Sequence, residues 1–129
     1  MDSSTATTVL LVEDNEDIRE GLSTLLEAEN YEVTPVGTAE DGMERLRVRS
    51  FHIIVTDYML PGESGRWMVE QARREACIGK TPVLMITAHP RVEPPAGVHI
   101  LHKPLDINEF LRAVEKVLTS ASQRTARTG

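Results

Sequence analysis

Residues 51–65 read FHIIVTDYMLPGESG, and the way this stretch divides decides the fold. Ile53, Ile54 and Val55 form a short apolar run of β-branched residues and predict a buried central strand. The strand ends in Asp57, Pro61-Gly62 supplies a turn, and a helix is predicted over 65–75. Working outward, the same alternation of short apolar run and helical spacing recurs on both sides, the pattern of an α/β domain with a mostly parallel sheet. Upstream, Val9 to Val12 predicts a buried strand. Ile18, Leu22, Leu25 and Leu26, spaced i, i+4, i+7, i+8, predict a helix ending near Asn30, a residue that tolerates the left-handed cap. Tyr31 to Val36 is a weaker strand whose Pro35 cannot donate to a ladder, which places it on a sheet edge. Thr38 then opens a second helix, with Asp41 completing an imperfect capping box and Ala39, Met43 and Leu46 facing inward.

Downstream, strands are predicted over 82–87 and 98–102. Asp106 and Glu109 form a capping pair for a last helix, with Ile107, Phe110, Leu111, Val114, Val117 and Leu118 as its apolar face. One connection breaks the rhythm. Only the ten residues Ala88 to Gly97 join the fourth and fifth strands, and Pro90, Pro94, Pro95 and Gly97 are among them. A proline inside a helix costs about 3 kcal/mol or more, so this segment is expected to be a loop or at most one helical turn. Met1 to Thr8 and Thr119 to Gly129 lack periodicity and are expected to be a flexible leader and a flexible tail around one domain over 9–118.

Composition sets the outer limits. The 129 residues are 40% apolar and 26% charged, the profile of one globular domain with a core of its own. A single cysteine, Cys77, excludes an internal disulfide and a CxxC pair and is compatible with a reducing cytoplasm. The longest apolar runs are far below the roughly 20 residues a membrane span needs. The polar, acid-bearing N-terminus differs from a secretory signal, so a cytoplasmic location is expected. Fourteen basic against twenty acidic residues, net −6 with no Lys/Arg stripe, argue against direct binding to nucleic acid or to an anionic membrane.

In a doubly wound sheet a ligand site forms at the carboxyl ends of the strands, near the point where strand order reverses. Strand one ends in Glu13 and Asp14, strand three in Asp57 and strand four in Thr87, and strand five runs into Lys103. Two carboxylates about 4 Å apart repel by about 4 kcal/mol at an effective dielectric of 20, so such a cluster calls for a cation. Oxygen ligands with open positions suit Mg²⁺. Each residue alone has a plainer reading. Glu13-Asp14 could begin a helix with favourable charge, Asp57 could cap a loop, Thr87 could bond a strand end, and Lys103 could be solvated. Their joint placement at the strand ends is what favours a site.

Glu13-Asp14, Asp57 in TDYMLPGESG, Thr87 in ITA and Lys103-Pro104 together resemble the receiver domain of two-component response regulators, the family of the chemotaxis response regulator. The resemblance implies a flavodoxin-like, doubly wound five-stranded parallel sheet of order 2-1-3-4-5, here with the fourth helix missing or reduced to a loop. It implies phosphorylation of Asp57 by a histidine kinase or a histidine phosphotransfer protein, with Mg²⁺ held by Asp14, Asp57 and the backbone carbonyl of Met59, and Glu13 acting through a metal-bound water. Lys103 would neutralise phosphoryl charge and Thr87 would donate its hydroxyl to the product, with Lys103-Pro104 a cis peptide. Such a domain promotes only its own phosphorylation and dephosphorylation and is not otherwise an enzyme.

Two features depart from the family's usual pattern, Ile100 and the shortened segment from Ala88 to Gly97. Ile100 stands where the family often has an aromatic switch partner for the threonine. His89 and Met59 take the positions that modulate the lifetime of the aspartyl phosphate. The shortened fourth-helix region predicts a monomer or weak dimer that does not use that helix. The main alternative is a phosphorylation-independent protein-interaction module on the same fold, acting on an unknown downstream protein. A phosphatase of the haloacid-dehalogenase type would need a second aspartate where Met59 stands. A nucleotide or flavin site would need a glycine-rich loop after the first strand.

Overall fold

The computed structural model describes the backbone of residues 6–128 and the side chains of residues 6–121. Strands β1 (Thr7–Val12), β2 (Tyr31–Val36), β3 (Ile53–Asp57), β4 (Val83–Thr87) and β5 (Val98–His102) alternate with helices α1 (Glu16–Ala28), α2 (Ala39–Val48) and α3 (Gly65–Arg74), and α4 (Ile107–Thr128) closes the chain. The strands form one sheet of order β2-β1-β3-β4-β5 in which every neighbour pair is parallel. β2 is an edge strand, as Pro35 requires. This is the flavodoxin-like sheet that the resemblance implies, on the α/β pattern read from the residues.

The central strands are buried on both faces, which is why they read as continuous apolar runs rather than as alternating ones. On one face Leu10, Val12, Ile54, Val83 and Met85 pack against Met43 and Leu46 of α2 and Met68, Val69 and Ala72 of α3. On the other, Val9, Leu11, Ile53, Val55, Leu84 and Ile86 meet Leu22 and Leu26 of α1 and Phe110, Val114 and Val117 of α4. The helix starts carry side-chain caps, of which Thr38 and Asp106 were expected from the sequence. Asn15 accepts from the amide of Ile18, Thr38 from that of Asp41, Ser64 from that of Trp67 and Asp106 from that of Glu109, all between 2.9 and 3.0 Å. Asn30 ends the α1 turn at φ 71°.

Two members of the expected apolar faces stand in solvent, Ile18 at 42% and Ile107 at 56% exposure. Both lie in the first turn of their helices, before the helix has crossed onto the sheet, so correct periodicity does not bury them. The ends of the chain also differ from expectation. β1 begins inside the segment taken as a leader, with Thr7 and Thr8 paired to Tyr31 and Glu32. Residues 1–5 of that leader lie outside the described residues. α4 runs to Thr128 although its apolar face stops at Leu118. A helix once nucleated gains one backbone hydrogen bond per added residue, and no proline or glycine interrupts the chain before Gly129.

The segment between β4 and β5 contains no helix. It is held instead by bonds characteristic of a prolyl loop. The amide of Val98 donates to Pro95 O at 3.1 Å, and Arg66 of α3 reaches Glu93 O at 3.3 Å. Among the described residues no helix is long and apolar enough to cross a membrane.

Candidate functional site

Parallel strands direct all their carboxyl ends to one rim, and the functional side chains collect there. Glu13 follows β1 directly and is 3% exposed; Asp57 closes β3 at 4%. Asp14 stands beside them in solvent, and the three residues each offer an oxygen within 4.8 Å of the others. From the other side, Lys103 brings its Nζ to 3.4 Å from Asp57 Oδ2. Its backbone is anchored by donation from its amide to Thr87 O at 2.9 Å, and the Lys103-Pro104 peptide is cis. The Lys103 to Asp57 contact is longer than an ordinary hydrogen bond. The second Asp57 oxygen, Oδ1, is buried with no hydrogen-bond partner.

These contacts set the electrostatics. Burial pushes the Asp57 carboxyl up from 3.8 to about 7, the neighbouring Glu13 carboxyl adds to the rise, and the Lys103 ammonium opposes it. An unpartnered carboxylate oxygen beside two further acids, faced by one ammonium, is a donor set with surplus negative charge. It fits a small, hard, oxygen-seeking cation such as Mg²⁺, and Glu13, Asp14 and Asp57 are the side chains that would hold it.

The backbone around Asp57 is held on both sides. Tyr58 donates its amide to Ile86 O at 2.8 Å and accepts at its own carbonyl from Gly65 at 3.0 Å. Thr56 Oγ1 donates to Asp57 O at 2.9 Å. A Cβ at Gly65 would sit 2.1 Å from Asp57 O, so only glycine lets α3 begin this close to the acid.

Thr87 ends β4 at 2% exposure, and its Oγ1 accepts from the amide of His89 at 3.0 Å. That bond occupies a lone pair and leaves the O–H free to donate. The side chains of the other expected residues are placed as follows. The Met59 side chain is 71% exposed, the His89 ring accepts from the amide of Arg91, and Ile100 packs against the core on the α2 and α3 side of the sheet. Two contributors were not apparent from the sequence. Asn15 donates its amide to Glu13 Oε2 at 3.1 Å, and Arg19 donates from Nη1 to Glu13 O at 2.8 Å. A polar residue on the first turns of a helix reads as solvated, and the one signal for Arg19 is the glycine at position 37, against which it lies.

A parallel doubly wound sheet with a buried aspartate, two acidic neighbours and an opposed lysine on its carboxyl rim defines a receiver-type α/β domain. The chain belongs to the response regulator receiver domain family, whose model matches residues 9–115. Sensory transduction protein RegX3 of Mycolicibacterium smegmatis is 30% identical over 118 residues, 87% of this chain and 50% of RegX3. The response regulator receiver protein CpdR of Brucella abortus is 29% identical over 120 residues, 88% of this chain and 98% of CpdR. The chain therefore spans half of the first relative and nearly all of the second. The chemotaxis response regulator CheY4 of Vibrio cholerae superposes with a TM-score of 0.81 at 25% identity, covering 88% of this chain and 99% of its own. A CheY-like receiver from Methanospirillum hungatei shares the fold at a TM-score of 0.84 and 23% identity, covering 93% and 99%.

Proposed function

We propose that this receiver accepts a phosphoryl group on Asp57 from the phosphohistidine of a histidine kinase or histidine phosphotransfer protein, and signals in the cytoplasm through altered contacts with a downstream protein. The observation that carries the reading is Asp57 itself, buried, with Oδ1 unpartnered and Lys103 Nζ 3.4 Å from Oδ2. An Asp57 oxygen attacks phosphorus and the P–N bond breaks. Its electron pair returns to the imidazole nitrogen, which takes a proton from water, and the product is an acyl phosphate. Lys103 offsets charge on the phosphoryl oxygens and the free Thr87 O–H donates to one of them. Glu13, Asp14 and Asp57, with the Met59 carbonyl, are assigned as the Mg²⁺ site, and the ion when bound supplies positive charge to the transferring group. The domain acts on no separate substrate.

Ile100 lacks the ring that would follow Thr87 inward, so the change at Thr87 passes through its bond to His89 into residues 88–97. With no helix there, the domain is expected to be a monomer or at most a weak dimer. The purified protein, incubated with Mg²⁺ and acetyl phosphate, is expected to gain one phosphate by intact mass, and Asp57→Asn to gain none. The same two departures, Ile100 and the helix-free connection, favour a second reading, a phosphorylation-independent interaction module. An unchanged mass, together with no binding of beryllofluoride, would select it.

A further inference from the structure

Glu13 is held at three points. Its amide donates to Val36 O at 3.0 Å, its Oε2 accepts from the amide of Asn15 at 3.1 Å, and its carbonyl accepts from Arg19 Nη1 at 2.8 Å. The last of these is unusual in kind. β1 and β2 pair as far as Val12 and Val36, and one step further Gly37 presents no side chain beside the Glu13 carbonyl. The Arg19 guanidinium lies there, 3.1 Å from where a Gly37 Cβ would be, and donates to the carbonyl beyond the last rung of the ladder. Its outer face borders an open groove of about 330 Å³ that Asp41 and Glu44 also line, yet among the described residues no ion pair joins Arg19 to either acid.

The Glu13 carbonyl belongs to the peptide that carries the Asp14 nitrogen, so fixing it fixes the plane from which the Asp14 side chain departs. Among the described residues no hydrogen bond or ion pair restrains the Asp14 carboxylate itself. We infer that Arg19, seated in the space left by Gly37, is a positioning residue that aims Asp14 at the divalent-cation site. The inference rests on the phosphoacceptor reading above. Asp14 is the acid of the cluster with no contact of its own, and its direction is delegated to a charge-assisted bond one peptide away.

Calorimetric titration with MgCl₂ tests this on the full chain. Arg19→Met is expected to weaken Mg²⁺ binding about 10-fold or more, the usual effect of losing a residue that orients a metal ligand. Gly37→Ala, whose backbone is not left-handed and so accepts alanine, is expected to weaken it in the same direction by displacing the guanidinium. The two effects are expected not to add in the double variant, because both act through one bond. At saturating Mg²⁺ the rate of phosphorylation by acetyl phosphate is expected to return to within about 2-fold of the unaltered protein.

Unchanged Mg²⁺ affinity in both single variants would overturn the inference, as would fully additive effects. If Arg19→Met fails to fold, Gly37→Ala alone against Gly37→Ala with Arg19→Lys carries the same comparison. Absence of Mg²⁺ binding by the unaltered protein would overturn the phosphoacceptor reading and this inference with it.

Discussion

A carboxylate is costly to bury, and Asp57 is buried beside a second acid with one of its oxygens unbonded. Its folded pKa lies near 7 against an ordinary 3.8, raised by burial first and Glu13 second. Between those values the folded state holds a proton that the unfolded state has released. Stability of the metal-free protein is therefore expected to fall as pH rises from about 4 to about 7 and to level off above. Asp57→Asn removes this slope. In EDTA it is expected to stabilise the protein by on the order of 2–4 kcal/mol near pH 8 and by little near pH 4, read by urea unfolding. A variant no more stable than the parent at the higher pH would mean that Asp57 is solvated. Excess Mg²⁺ is expected to narrow the gap by stabilising the parent's ionised site.

At the scale of the element, the connection between β4 and β5 is the crossover of the sheet that carries no helix. Prolines 90, 94 and 95 have no amide to donate, and His89 and Arg91 spend theirs on side chains rather than on a ladder. Arg66 holds the segment to α3 through Glu93 O at 3.3 Å, while its Nε is occupied by Glu70 at 2.9 Å. Such a segment opens at little free energy. Its amides are expected to exchange with deuterium about 100-fold faster or more than those of β4, measured by hydrogen exchange on peptides spanning 83–102. Protection equal to that of β4 would mean a helix or a paired strand has formed there in solution.

For the whole molecule, stability comes from two cores separated by one sheet, and each helix pair seals one of them. Phe110 is the largest fully buried side chain and joins α4 to the sheet face that α1 also covers. Phe110→Ala is expected to cost about 3–5 kcal/mol in urea unfolding, a large part of the roughly 5–15 kcal/mol a domain possesses. A loss under about 1 kcal/mol would show that α4 contributes little to the fold.

The order of elements, the edge position of β2, the caps at Thr38 and Asp106, and the missing helix were all legible in the sequence. Apolar period, prolines and capping residues act through near neighbours, and a parallel sheet directs its strand ends to one rim whatever the loops do. The same locality made Glu13, Asp14, Asp57, Thr87 and Lys103 readable as one group. Burial of Ile18 and Ile107 was not legible, since periodicity names a face without saying where the helix meets the sheet. Nor was the run of α4 past Leu118, where backbone hydrogen bonding continues without an apolar face. The proton held near neutrality by Asp57 and the seat of Arg19 over Gly37 belong to the tertiary structure alone. Each depends on how far residues distant in the chain stand from one another once packed, and that distance is written in no local pattern.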